Sequence, residues 1–393
     1  MDCVPDPRPP HDASIPGPLA WFADMIDHCH DYVENARAVG APIVGIMCEF
    51  TPREIILAAG GVPVCLCGGS AATIPVAEQS LPANLCPLIK STFGYQVLGK
   101  NPFLNWADLV VAETTCDGKK KMFELMSQTK PMYLLELPQR SEDEDAFEHW
   151  TAELRKFKAH LEQRFKTTIT EAKLRAACGL MNRERQLRRQ LAALMMREVP
   201  PLTGRQLIEF KSLVAGNEAD WDQYETALEM YSQSTAPAAA HKVRVLLTGV
   251  PLVHGAERVL ELIEDAGAIV VAMENCTGLK PILDDVDLAE PDTIRAIARK
   301  YYHLPCSVMT PNTRRFESLR SLAANFRPDC VIELIWQACL TYDIESFQVR
   351  KVVEEELRLP YLKITTDYSP SDSARISARV EALFETIRAR QSE

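Results

Sequence analysis

Ile43-Val44-Gly45-Ile46-Met47-Cys48-Glu49-Phe50-Thr51-Pro52-Arg53-Glu54-Ile55-Ile56-Leu57-Ala58-Ala59-Gly60-Gly61-Val62-Pro63-Val64-Cys65-Leu66 is the stretch that decides the fold. Ile43–Met47 is an apolar run of strand length. Thr51 and Pro52 suit the cap and first turn of a helix over Pro52–Ala59. Gly60-Gly61 closes that helix, and Val62–Leu66 is the next strand. Two buried strands joined by a helical crossover imply a parallel sheet covered on both faces.

The same alternation extends in both directions. Residues 1–16 form a loose arm and 17–39 a helix. Downstream come a strand at Leu109–Ala112, a helix from Asp117 to Ser127 and a strand at Met132–Leu137. Residues 142–233 are charge-dense with helical periodicity (Leu154, Phe157, Leu161, Phe165). The Arg183–Arg189 stretch has acidic residues interleaved along the same connector, which marks a solvated helical face. Ser234–Ala240 reads as a linker. Strands then resume at Val243–Leu247, Ile269–Met273, Cys330–Ile335 and Tyr361–Thr365. Helices are expected over 256–266, two within 291–325, then 345–357 and 371–390.

The expected organisation is an N-terminal arm and helix (1–40), a first α/β lobe (41–141), a helical connector and linker (142–240) and a second α/β lobe (241–393). The lobes read as an internal repeat. Leu57-Ala58-Ala59-Gly60-Gly61-Val62 matches Glu264-Asp265-Ala266-Gly267-Ala268-Ile269. Asp108-Leu109-Val110-Val111 ahead of Cys116 matches Asp329-Cys330-Val331-Ile332 ahead of Cys339. Two facing lobes leave a cleft between them.

The net charge of −11 argues against nucleic acid and anionic membranes as partners. No apolar run is long enough to span a bilayer. The polar, Pro-rich start lacks the pattern of a secretory signal, so a cytoplasmic, reducing location is expected. There the 12 cysteines are thiols or metal ligands rather than disulfides.

Six cysteines stand out by position. Cys48, Cys116, Cys276 and Cys339 follow strands directly or through short loops, where ligands of open parallel sheets bind. Cys86 and Cys306 lie in loops. The offset from Cys86 to Cys116 nearly equals that from Cys306 to Cys339. Three soft ligands per lobe suit iron–sulfur better than zinc, and the short Cys-x-x-Cys pairs of a zinc site are absent. Cys29, Cys178 and Cys330 fit ordinary buried thiols. Cys65 and Cys67 alternate on a strand and stand in reserve, and Cys3 lies in the arm. Glu49, Glu113 and Glu333 sit near these strand ends as proton relays or, more plainly, as caps and ion-pair partners. His28-Cys29-His30 does not share one helix face. Gly118-Lys119-Lys120 is no P-loop, and no Gly-x-Gly-x-x-Gly occurs.

Met47-Cys48-Glu49-Phe50-Thr51-Pro52-Arg53-Glu54 through Gly60, Thr115-Cys116-Asp117-Gly118-Lys119-Lys120, and Phe326-Arg327-Pro328-Asp329 through Cys339 resemble the 2-hydroxyacyl-CoA dehydratase D-component family. The resemblance runs from about residue 15 to the end. It implies two flavodoxin-like lobes with parallel sheets, a cluster in the cleft between them, and a homodimer. Dehydratase subunits of the family bind one [4Fe-4S] cluster at positions that fall on Cys86, Cys116 and Cys339. With Cys48, Cys276 and Cys306 added, the chain resembles the double-cubane cluster protein branch, which holds an [8Fe-9S] cluster. That branch implies a separate ATP-hydrolysing reductase with its own [4Fe-4S] cluster as electron donor, a small-molecule substrate and oxygen sensitivity. The expectation is therefore a low-potential reductase component. A 2-hydroxyacyl-CoA dehydratase subunit is the first alternative, and a non-catalytic electron-transfer protein is the second.

Overall fold

The computed structural model describes residues 17–234 and 241–391. The arm expected over 1–16, with Cys3, and residues 235–240 of the expected linker lie outside the described residues. The chain runs α1 (Pro18–Ala23), α2 (Met25–Ala38), β1 (Ile43–Ile46), α3 (Arg53–Ala58), β2 (Val62–Cys65), α4 (Ile74–Ala77), α5 (Pro87–Leu98), α6 (Pro102–Trp106), β3 (Leu109–Glu113), α7 (Asp117–Met126) and β4 (Met132–Leu135). Helices α8 (Glu144–Phe165), α9 (Glu171–Ala193), α10 (Gly204–Glu209) and α11 (Glu218–Ser232) follow. The second half holds β5 (Val243–Gly249), α12 (Arg258–Asp265), β6 (Ala268–Glu274), α13 (Thr293–Tyr302), α14 (Thr313–Phe326), β7 (Cys330–Trp336), α15 (Leu340–Lys351), β8 (Tyr361–Thr366) and α16 (Ser373–Gln391). Among these described helices, none is long and apolar enough to cross a membrane.

The strands form two four-stranded sheets, ordered β2-β1-β3-β4 and β6-β5-β7-β8. Every pairing is parallel. The two orders are the same permutation, and they match the first four strands of the flavodoxin-like order. The α/β reading with two lobes therefore holds. In such a sheet the order reverses between the first and third strands, which places the ligand crevice beyond their carboxyl ends.

Alternation along the strands sorts side chains into three cores. Ile43, Val62, Val64 and Val110 of the first sheet share a core with Val243, Val245, Leu247, Ile332 and Leu334 of the second. The other face of the first sheet (Val44, Ile46, Val111) packs on α8, α9 and α13 through Trp150, Leu154, Phe157 and Tyr301. The other face of the second sheet (Leu246, Ile269, Val331) packs on α1, α11 and α14. The middle core thus belongs to both lobes and fixes one sheet against the other. At Gly69 the lobes meet backbone to backbone, since a Cβ there would lie 2.1 Å from the His254 carbonyl oxygen.

Three local readings need correction. The helix expected over 17–39 is two helices, broken at Asp24. The Trp21 carbonyl, which would accept from the next turn, instead meets His28 Nδ1 at 3.0 Å, and the His28 ring stacks on Trp21. Thr51 is not the cap of α3; Pro52 occupies that position, and the Thr51 hydroxyl donates to Glu113. The helix expected from 345 begins at Leu340, directly after Cys339, and ends in a π-helical segment, Val352–Glu356. Gly60 does close α3: its φ of 79° lets the Gly61 N–H turn back to the Ile56 carbonyl at 3.0 Å.

A buried polar junction ties α3, α9 and α13 together. Glu54 accepts from Arg185 Nη2 at 2.7 Å and from the Tyr301 hydroxyl at 2.8 Å. Burial opposes its charge, but the Arg185 guanidinium and Lys300 outweigh that and hold the carboxyl below its ordinary range. A depressed carboxyl contributes stability above its unfolded pKa and loses it as pH falls through the folded one. Glu54→Gln is expected to lower stability at neutral pH and to flatten the acid side of the stability curve. Urea midpoints across pH 3–7 check this; a variant with the wild-type acid dependence would contradict it.

Candidate metal centre

The carboxyl ends of both sheets open on one cavity of about 830 Å³. Its walls carry Cys48, Cys86, Cys116, Cys276, Cys306 and Cys339 together. Cys48 follows β1 after Met47. Cys86, Cys116 and Cys339 each occupy the N-cap position of a helix, α5, α7 and α15. Pro87 at the first position of α5 needs no backbone donor, so the chain enters that helix without strain. Cys276 follows β6 in a loop fixed by Asn275, whose Oδ1 accepts from the Gly278 N–H at 2.8 Å and the Thr277 N–H at 3.2 Å. Cys306 lies between α13 and α14. Its loop is pulled toward the first lobe, where the Thr310 N–H donates to the Gln139 carbonyl at 2.7 Å.

Electrostatic proximity sorts the six thiols into two sets. Burial pushes Cys48 well up, and the charges of Cys276 and Cys306 push in the same direction, while Lys119 opposes them. Burial likewise raises Cys276 to about 12, with Lys280 opposing and Cys306 adding. Cys306 is raised by burial too, against Lys280. In the second set Cys86 and Cys339 influence each other most strongly. The neighbouring Cys339 thiol, with the Ile89 and Leu88 N–H groups of the first turn of α5, outweighs burial and holds Cys86 low. Cys339 is correspondingly raised. Burial raises Cys116, whose thiol also feels Cys339 and Cys306. Cys48, Cys276 and Cys306 thus influence one another, as do Cys86, Cys116 and Cys339, and Cys116 with Cys306 links the two groups. Each draws on both halves of the chain.

The donors fit an anionic thiophilic group. Six thiols line one cavity, and cations and helix N-termini stand beside them to favour negative charge there. Lys119 is half-buried in the cavity wall and donates to the Met47 carbonyl at 2.9 Å. Burial opposes its charge, but Cys48, Cys67, Glu113 and Cys116 more than offset that and hold the ammonium above its ordinary range. Lys280, 1% exposed, pairs with Glu274 at 3.0 Å and donates to the Tyr342 hydroxyl at 2.9 Å.

Cys65 and Cys67 also line the cavity. Cys67 donates to the Met47 carbonyl at 3.4 Å, and burial pushes Cys65 up to about 12. Cys29, Cys178 and Cys330 are buried in the cores. Glu49 pairs with Arg53 at 2.8 Å, and Glu333 with Arg315 at 3.0 Å. Sequence reasoning missed Arg315, fully buried between Glu274, Glu333 and Glu345, and it missed the part played by Lys119. For Lys119 a signal was there in Thr115-Cys116-Asp117-Gly118-Lys119; for Arg315 the sequence carries none.

Glu113 ends β3 fully buried. Its Oε1 accepts from Thr51, and its Oε2 has no partner among the described residues. Burial pushes its carboxyl up to about 7, with the Thr51 hydroxyl opposing. A carboxyl raised on folding favours the folded state while protonated, and that contribution is lost as pH rises through about 7. Thr51→Val removes the donor that eases the charged form. The expected loss of stability is about 1–3 kcal/mol and greater at pH 8 than at pH 6. Equal losses at both values would contradict the assignment.

Residues 48–387 match the family described as 2-hydroxyglutaryl-CoA dehydratase, D-component. The chain is 39% identical over 365 residues to a putative dehydratase subunit, YjiM, of Escherichia coli K12, covering 90% of this chain and 94% of that protein. It is 21% identical to the (R)-phenyllactyl-CoA dehydratase beta subunit of Clostridium sporogenes, over 93% of this chain and 97% of that one. A shorter match, 26% identical over 45% of this chain and 48% of the other, joins it to a subunit of the benzoyl-CoA reductase of Thauera aromatica. These relatives place it among enzyme components of the dehydratase and reductase type. The chain belongs to the 2-hydroxyglutaryl-CoA dehydratase D-component family.

Proposed function

We propose that the cavity holds a double-cubane [8Fe-9S] cluster on Cys48, Cys86, Cys116, Cys276, Cys306 and Cys339, and that the protein is the substrate-reducing component of a low-potential, ATP-dependent reductase. The observation that carries this reading is the meeting of six thiols from both lobes in one cavity. When bound, such a cluster supplies electrons at very negative potential to a small molecule beside it.

The chain's own residues prepare the site. Cys86, Cys116 and Cys339 cap α5, α7 and α15, so first-turn N–H groups face the thiolates and favour negative charge there. Lys119 and Lys280 balance the thiolates from behind the wall. Met47, Leu85, Ile89, Val250, Val253 and Trp336 line part of the cavity with apolar surface. The proposed electron donor is a separate iron–sulfur protein that hydrolyses ATP, and the proposed assembly is a homodimer in a reducing cytoplasm.

The second reading is a 2-hydroxyacyl-CoA dehydratase subunit with one [4Fe-4S] cluster on Cys86, Cys116 and Cys339. It is favoured by the names of the relatives and by the close pairing of Cys86 with Cys339.

Iron and acid-labile sulfide counts on anaerobically purified protein separate the two. The expected count is about eight irons per chain for the double cubane and about four for the single cluster. Cys276→Ser and Cys306→Ser are expected to cut the iron content by about half or more. Iron content unchanged in both variants would overturn the six-thiolate reading and leave the three-thiolate one standing.

A further inference from the structure

Helix α9 presents Met181, Glu184, Arg185 and Arg188 to the cavity, at the three- and four-residue spacing of a single helical face. The helix carries five arginines, and four have carboxylate partners. Arg175 pairs with Glu171, Arg183 with Glu225, Arg185 with Glu54 and Arg189 with Asp285. Arg188 has no carboxylate partner and no hydrogen bond among the described residues, although it is half-buried. Its natural partner is Glu184, one turn earlier. Glu184 Oε2 is instead taken by the Gly216 N–H at 2.9 Å and approached by the Trp221 indole N–H at 3.5 Å.

The other cations of the cavity wall are occupied. Arg53 pairs with Glu49 at 2.8 Å, Lys120 with Asp117 at 2.8 Å, and Lys211 with Glu257 at 2.6 Å. Lys300 donates to the Pro281 carbonyl at 3.1 Å, and Lys119 to the Met47 carbonyl at 2.9 Å. A guanidinium offers a planar fork of donors that fits two oxygens of one anion. Among the described residues, Arg188 is the cavity arginine whose fork is not already taken by a carboxylate, so it is open to an anion entering the cavity.

We propose that Arg188 is the anion-recognising residue of this cavity and binds the carboxylate or phosphate group of the molecule that is reduced there. This rests on the reading of the cavity as the reaction site. Arg188 holds the anionic end of the substrate by two parallel hydrogen bonds, and the reducible end lies toward the thiols. The step involves binding alone; no bond is made or broken at Arg188.

The test is calorimetric titration of the full, anaerobically purified chain with succinate in one arm and pyrophosphate in the other, with iron counted in the same samples. At least one probe is expected to bind. Arg188→Met is expected to weaken that binding about tenfold or more, and Arg188→Lys to weaken it less. A response to succinate alone identifies a small free acid, and one to pyrophosphate alone identifies a phosphate-bearing substrate. Binding of either probe with the same affinity in wild type and Arg188→Met, or no binding of either, would overturn the proposal. The iron count falls separately: a low count with Arg188-dependent binding sinks the cluster reading and leaves Arg188 as an anion-binding residue alone.

Discussion

The shared core between the two sheets is the constraint on which the rest of the molecule depends. Ile43, Val62 and Val110 pack from one side and Val245, Leu247 and Ile332 from the other. The strands of each sheet run parallel in the same order, so each has its switch point between equivalent strands. Fixing the sheets through this core makes both switch points open on one space. Side chains that follow β1, β3, β6 and β7 then reach the same cavity from both halves of the chain. A single lobe would bring only some of the cysteines together.

Crowding thiols in a buried cavity works against charge, and the fold answers in two ways. Helices α5, α7 and α15 begin at Cys86, Cys116 and Cys339 and aim their N-terminal N–H groups at them. Lys119 and Lys280 add full charges. Behind these, Arg315 is enclosed by Glu274, Glu333 and Glu345, and Arg185 is enclosed by Glu54 and Asn182. Breaking such buried pairs costs far more than their presence contributes, so they act as fixed points rather than sources of stability. They hold β6, β7, α3 and α9 in the register that the cavity needs.

Much of the architecture was legible in the sequence because it rests on periodicity and punctuation. Apolar runs bounded by Gly60-Gly61 or Gly267 mark parallel strands wherever they occur, and all eight strands lie where those runs fall. That Cys48, Cys86, Cys116, Cys276, Cys306 and Cys339 line one cavity was legible from strand ends; which of them neighbour one another was not, because the repeat offsets pair cysteines within a lobe. What stayed hidden depends on contacts between distant residues. The break at Asp24 comes from His28 folding back on the Trp21 carbonyl. Thr51 looked like a cap because no sequence pattern shows that Glu113, on another strand, claims its hydroxyl. Arg188 looked like one more solvated arginine until the partners of its neighbours were known. Cys65 and Cys67 were held in reserve, and their place in the cavity wall came only with the packing of β2 against the 211–217 loop.

The central claim is that sulfur atoms from both halves of the chain hold one inorganic core. Anomalous diffraction at the iron absorption edge, from crystals grown without oxygen, tests it most directly. Iron is expected in the cavity, bonded to Cys48, Cys86, Cys116, Cys276, Cys306 and Cys339. Iron held by the thiols of one half alone, or iron elsewhere with these six thiols unbound, would contradict it.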